Sequence, residues 1–439
     1  MATDSGASGP PLQKTETTAS FPDYGYPQGH LGHLDETQAE KLEEFRKLVE
    51  TEGLYKPGPP PSHDDEALLR YLRARRWVPE EALKQFRDTH EWRQANDIDT
   101  LYSTIELASY EQSRRMYPQW TGRRDRRGIP LYLFEVKPLD SKAVGEYERA
   151  GASHTFSKAD SSRMTAPPGL LRLFALYENL TRFVMPFCSQ LQDREFPGTP
   201  ITMTTNIVDI SGVGLKQFWN LKAHMQAASQ LATAHYPETL DRIFIIGAPV
   251  FFSTVWGWIK RWFDPITVSK IFILSPAEVG PTLRQFIDPK NIPKKYGGEL
   301  DFSWGDLPTV DPAWDGIVEW EGKPGFPTGP HIWRDIEGDR MECIGLGQKD
   351  GKLRRERICT VKKTYWSPVV GQNGAKEGAD VEKNENGEKA EKVEEKKGED
   401  LNDKVGNLDI SEDADREKAQ MSGREVSPSI SPAIPNTVA

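Results

Sequence analysis

The sequence predicts an α/β protein, with a mostly parallel sheet floor under helical walls, a helical unit in front of it and disordered termini. Three observations predict it. From Pro130 the apolar pattern changes from helical spacing to a β-branched and aromatic run. Between 201 and 275 two strand-like runs bracket one long helical stripe. The two ends are too polar, and too rich in Gly, Pro and charge, to offset their ordering entropy.

Residues 1–33, rich in Gly, Pro, Ser and Thr without an apolar period, are expected to be a disordered arm. Asp35 with Gln38 makes a capping-box pattern, and Leu42, Phe45, Leu48 and Val49 recur at helical spacing up to Gly53. After a stiff Pro-rich connector at 56–61, Asp64 or Asp65 can cap a second helix carrying Leu68, Leu69 and Leu72. Pro79 opens a third helix through Trp92, so residues 34–103 form the helical unit, with a further helical stretch expected around 104–116.

Residues 131–136 read as a strand, and 202–210 as another. Leu215, Phe218, Trp219, Met225, Ala228 and Leu231 form the stripe of a helix of about six turns. Residues 242–248 are continuous in apolar character after Arg242, as in a strand covered on both faces. Strand, helix, strand is a βαβ unit, which requires parallel pairing and a right-handed crossover. A shorter helix near 250–263 and a strand at 271–274 extend it. Residues 303–366 hold Trp304, Trp314, Trp320, Trp333 and Trp366 among many Gly and Pro and are expected to be an ordered, loop-rich extension, and 367–439 a disordered charged tail.

The net charge of −10 argues against nucleic-acid binding, which needs a basic surface. Cys188, Cys343 and Cys359 are odd in number and lack CxxC grouping, so neither a disulfide framework nor a zinc site is expected. The start has no basic segment followed by an apolar one, and the end has no prenylation cysteine. The uncharged run 243–259 is short for a membrane span and is broken by Gly247, Pro249 and Gly257. No GxxxxGK[ST], GxGxxG or GxSxG pattern occurs and no HExxH or His–carboxylate cluster suggests a metal, so no catalytic residue, metal or cofactor is expected. Arg123, Arg124, Arg126 and Arg127 read either as a patch for anionic membranes or as a solvated turn.

In 251–263 large apolar side chains occupy most of a helix circumference, with Lys260 and Arg261 beside three tryptophans. That is the pattern of a buried core helix or of one that meets a lipid interface. The chain resembles a known family at several points. His235-Tyr236-Pro237-Glu238, Ile245-Ile246-Gly247-Ala248-Pro249 and the run DPITVSKI at 264–271 are similar to the core of the CRAL-TRIO lipid-binding domain. The run DEALLRYLRARRW at 65–77 resembles the helical unit that precedes it, and Tyr117-Pro118-Gln119, Asn291-Ile292-Pro293 and Tyr296-Gly297-Gly298 follow in order. The resemblance covers about 35–300, and its nearest branch is the fungal-type phosphatidylinositol/phosphatidylcholine transfer proteins.

The resemblance implies that residues 104–302 enclose an apolar cavity for one phospholipid, closed by a mobile gate helix carrying Phe251, Phe252, Trp256, Trp258, Trp262 and Phe263. It implies phosphatidylinositol as the ligand, its headgroup held by Arg75, Glu238, Thr267 and Lys270. For phosphatidylcholine it points to Tyr132, Tyr177 and Thr204, with Asn206 where a hydroxyl is expected and Thr121 where another tyrosine is expected. A monomer is implied that exchanges lipid transiently with Golgi or endosomal membranes from the cytoplasm, supporting phosphoinositide metabolism and vesicle traffic. Alternatives are a carrier of another apolar ligand, such as a sterol or haem, or a membrane-associated scaffold. Two acyl chains with ~30 methylenes at ~0.8 kcal/mol each resist exposure to water by roughly 24 kcal/mol, so a carrier needs an interior nearly as apolar as the bilayer.

Overall fold

The computed structural model describes residues 25–153, 166–262 and 265–364. The helical unit forms as its caps dictate. Asp35 and Gln38 close a capping box on α1 (Glu36–Thr51), Asp64 accepts from the Ala67 N–H at the start of α2 (Asp65–Ala74), and Pro79 opens α3 (Pro79–Ala95). Phe45, Val49, Leu68, Leu72, Ala82 and Phe86 share the core of these three helices. The helical stretch expected around 104–116 is α5 (Leu107–Arg114), and a short α4 (Ile98–Thr104) precedes it.

Five strands form the main sheet in chain order: β1 (Gln119–Arg124), β2 (Pro130–Glu135), β3 (Thr204–Asp209), β4 (Leu240–Ile246) and β5 (Ile271–Ile273). β1 pairs antiparallel with β2 and every later pairing is parallel. The parallel strands step in one direction, and right-handed crossovers then carry all their connections over one face. Those connections are α6 (Ser141–Ser153), the helical run α7 (Pro168–Leu171), α8 (Leu173–Asn179) and α9 (Met185–Ser189), then α10 (Leu215–His235), and finally α11 (Phe252–Ile259) with α12 (Pro265–Ser269). The opposite face is packed solid, with Leu131, Leu133, Ile207, Phe244 and Ile246 against Leu283 of α13 (Pro276–Phe286) and against Ile292, Tyr296 and Phe302.

One expectation is corrected and another extended. Residues 25–33 are not a disordered arm, because Tyr26 and His30 are buried and the Tyr26 phenol donates to the Thr199 carbonyl at 3.1 Å and accepts from Arg194 at 3.0 Å. The extension, expected to be an ordered run of loops, also holds a sheet. Its strands β6 (Val318–Trp320), β7 (His331–Ile336), β8 (Arg340–Gly345) and β11 (Glu356–Lys362) form an antiparallel sheet in the order β6-β11-β8-β7, and β9 (Gln348–Lys349) pairs with β10 (Lys352–Leu353). Trp333 and Trp314 from this region pack into one core with Phe183 and Phe187.

The arginine run is tied into the fold rather than laid out as a patch. Arg124 pairs with Asp193 and with Asp311 at 3.0 Å, and Arg127 pairs with Asp125 at 2.8 Å and with Asp241. All three cysteines are buried and unbridged. Among the described residues no helix is long and apolar enough to cross a membrane, and no cluster of metal-ligating side chains occurs. The tail at 367–439 lies outside the described residues.

Candidate functional site

Side chains alternate across a sheet. The residues between those packed on the solid face, namely Tyr132, Phe134, Thr204, Asn206, Val208, Ile243 and Ile245, therefore turn toward the crossover helices, and all seven line one cavity of about 430 Å³. That volume lies within the range of small-molecule sites. Its walls come from α8 (Leu173, Leu176, Tyr177), from α10 (Phe218, Leu221, Met225, Ala228) and from the inner face of α11. The lining is predominantly apolar, with four charged side chains, Arg75, Lys222, Glu238 and Lys270, in it.

Arg75, Glu238, Thr267 and Lys270 all line this cavity. Arg75 caps the C-terminus of α2 and is exposed. Lys270, just before β5, donates to Glu238 Oε2 at 3.2 Å and to the Leu240 carbonyl at 3.0 Å, while its own backbone N–H bonds the Thr267 carbonyl at 3.1 Å. Glu238 sits at φ +56°, a left-handed conformation that a glutamate adopts only when its surroundings impose it, as functional sites often do. The Glu238–Lys270 ion pair thus stands on the cavity wall.

Sequence reasoning missed a further cation here. The side chain of Arg73 is only 10% exposed, and its Nε lies 3.9 Å from Glu238 Oε2. Its other contacts, to the Gly29 carbonyl and Thr202 Oγ1, are long at 3.5 Å, and Nε has no hydrogen-bond partner. Burial pushes the Arg73 guanidinium down to about 10, with Glu238 acting the other way. Burial, and then Arg73, push the nearby His30 down to about 2, so its ring is neutral. Arg73 and Lys270 thus share the Glu238 carboxylate, although Arg73 is not itself in the cavity lining, and with Arg75 on that lining the cations outnumber the carboxylate, an excess that suits an anionic group. The only sequence signal for Arg73 was its place two residues before Arg75.

The second quartet also lines the cavity, and the side chains of Thr204 and Asn206 are engaged in hydrogen bonds. Asn206 Nδ2 donates to Thr204 Oγ1 at 2.9 Å, and Thr204 Oγ1 donates to the Thr239 carbonyl at 3.1 Å. Thr121 donates to the Leu131 carbonyl at 3.0 Å within the sheet. Tyr177 stacks on Tyr236 at 4.8 Å between ring centroids, and burial pushes the Tyr177 phenol up to about 12. Tyr236 in turn donates to Glu178 at 2.6 Å. Burial alone would raise the Glu178 carboxyl, but Arg93 at 2.6 Å, Arg182 at 3.3 Å and that phenol hold it at about 2.

The gate segment leaves β4 through Gly247 at φ +68°, where an added Cβ would stand 1.9 Å from Ser211 Oγ. Phe251, Phe252 and Trp256 line the cavity together with Ile259, whereas Trp258 is on the outer surface. Trp262 ends a short 3₁₀ turn (Lys260–Trp262), and Phe263 lies outside the described residues.

Residues 114–298 match the family described as CRAL/TRIO domain, and residues 31–88 match the CRAL/TRIO N-terminal domain. The chain is 30% identical over 295 residues to SEC14 cytosolic factor of Kluyveromyces lactis, covering 66% of this chain and 89% of that one. It is also 30% identical over 284 residues to Sec14 cytosolic factor of Schizosaccharomyces pombe, covering 64% and 88%. With phosphatidylinositol/phosphatidylcholine transfer protein SFH7 of Arabidopsis thaliana it shares 30% identity over 260 residues, 58% of this chain and 43% of the other. The sheet from β6 onward lies beyond both matched segments.

Proposed function

Because the chain belongs to the CRAL/TRIO family, we propose that it carries one phospholipid in the cavity under α10 and α11 and exchanges it with membranes, converting nothing. The ligand we propose is phosphatidylinositol. One observation carries this reading: Arg75, Glu238, Thr267 and Lys270, from three separate segments, all line one predominantly apolar cavity. Lys270 and Arg75 can meet the phosphodiester, Thr267 can donate to it, and Glu238 can accept from inositol hydroxyls. Phosphatidylcholine is the weaker candidate, since Thr204 and Asn206 spend their polar atoms on each other and on the Thr239 carbonyl, and Thr121 supplies no ring for a choline cage. The proposed setting is the cytosol, with transient contact at Golgi or endosomal membranes, which suits relatives named cytosolic factors.

Native mass spectrometry of the purified chain should find one bound phosphatidylinositol. Lys270→Ala combined with Thr267→Asp should then abolish its vesicle-to-vesicle exchange without emptying the cavity of apolar ligands. Exchange that survives both substitutions, or a cavity that holds only a neutral apolar molecule, overturns the assignment.

A further inference from the structure

The lipid-carrier reading leaves open how the carrier meets a bilayer, and the outer faces of α10 and the gate bear on it. In a chain of net charge −10, α10 contains Lys216 and Lys222 and no acidic residue, and the gate segment 249–262 contains Lys260 and Arg261 and no acidic residue. The same two segments expose large apolar groups. Val250 is 99% exposed, Leu215 and Trp219 are each 46% exposed, and Trp258 is 39% exposed.

These groups are organised. The rings of Trp219 and Trp258 lie 5.3 Å apart between centroids, and Lys222 Nζ stands 5.0 Å over the Trp219 ring. Trp219 does not line the cavity, although its neighbours Phe218, Leu221 and Lys222 do. It therefore contributes nothing to enclosing a lipid, and it leaves an indole in water where a core helix would turn a polar residue outward. The carboxylate that α10 does engage, Glu148 of α6, bonds His224 further along the helix, at 2.8 Å. Two adjoining indoles, one under a lysine, on elements that carry cations and no acid match the anionic headgroup layer of a membrane, where an amphipathic ring buries its body and each nearby cation adds attraction.

We propose that the Trp219–Trp258 pair, with Lys216, Lys222, Lys260 and Arg261, is the surface by which the chain docks on an anionic phospholipid bilayer. It spans α10, a wall of the cavity, and the gate, so docking engages both elements at once.

The test uses the full chain in sedimentation with phosphatidylcholine vesicles, made with and without phosphatidylserine. The wild type should favour the vesicles containing phosphatidylserine. Lys216→Gln with Arg261→Gln should weaken that preference by about fivefold for each charge removed and leave binding to pure phosphatidylcholine unchanged. Trp219→Ala should weaken binding to both vesicles several-fold while native mass spectrometry shows its bound lipid unchanged. Indifference of the wild type to phosphatidylserine, or wild-type sedimentation by both variants, as expected if this face docks a protein instead, overturns the proposal. The carrier reading fails separately: a wild type that holds no phospholipid, yet loses vesicle binding on these substitutions, keeps the docking surface and discards the cargo.

Discussion

At the scale of single residues, the polar groups in and next to the cavity lining divide into those held by the fold and those less tightly held, and Glu178, bonded to the lining residue Tyr236, shows the first kind. It is 2% exposed, and it anchors Arg93, Arg182 and the phenol of Tyr236, whose ring lines the cavity. Its folded-state pKa of about 2 lies below the ordinary glutamate value of about 4.3. The unfolded chain therefore takes up the proton first as pH falls. The stabilisation is complete above about pH 4.3 and is lost as pH drops toward 2. Glu178→Gln should lower unfolding stability at pH 7 by about 3 kcal/mol, because it strands buried arginine charge. Its stability should then fall less steeply than the wild type's between about pH 4.3 and 2. Parallel pH–stability curves from denaturant titrations would remove Glu178 from this role. The second kind includes Arg73, which stands beside Glu238 but not in the cavity lining, and whose long contacts and Nε without a hydrogen bond contrast with the paired Arg93.

At the scale of elements, the C-terminal sheet is a buttress for a cavity wall. Trp333 is fully buried, donates to the Phe183 carbonyl at 3.0 Å and stacks on Phe187 at 5.5 Å, and Phe187 stacks on Trp314 at 3.7 Å. Phe183 and Phe187 belong to the helical run whose preceding residues Leu173, Leu176, Tyr177 and Leu180 line the cavity, and a π-helical turn at Leu180–Val184 joins the two stretches. Trp333→Ala should cost about 3–5 kcal/mol in denaturant unfolding and reduce the amount of co-purified lipid. An unchanged unfolding midpoint would make the sheet a detachable appendage. The sequence announced neither partner of this contact. The βαβ unit around α10 was legible because a helix of 21 residues carries its apolar stripe unbroken between two apolar runs. The strands from β6 onward are separated by Gly and Pro, and their apolar residues pack on partners far away in the chain, such as Phe183, Phe187, Leu101 and Tyr102. The burial of Tyr26 likewise depends on Thr199 and Arg194, so no local pattern could reveal it. The headgroup quartet was readable through family resemblance alone, since each of its residues is an ordinary surface type, and Trp219 was read only as part of a helical stripe.

At the scale of the whole molecule, charge is distributed against the direction that docking requires. Residues 367–439 contain ten basic and seventeen acidic residues, so they carry −7 of the chain's −10, whereas the α10 and gate faces carry cations only. Near an anionic bilayer the cationic face is attracted and the rest of the chain is repelled, and the balance depends on the screening length. Removing 367–439 should therefore increase sedimentation with phosphatidylserine-containing vesicles at ionic strengths near 0.01 M, where the Debye length is about 30 Å, and the gain should vanish near 1 M, where it is about 3 Å. Pure phosphatidylcholine vesicles should register no difference. The cavity lining runs from Ala74 to Ile271, so lipid exchange itself should survive the deletion. A scaffold that recruits partners through this segment predicts the opposite in cells, where the deletion would abolish function although exchange between vesicles persists. If the deletion instead weakens vesicle binding at low salt, the segment contributes attraction of its own and the charge-balance account is wrong.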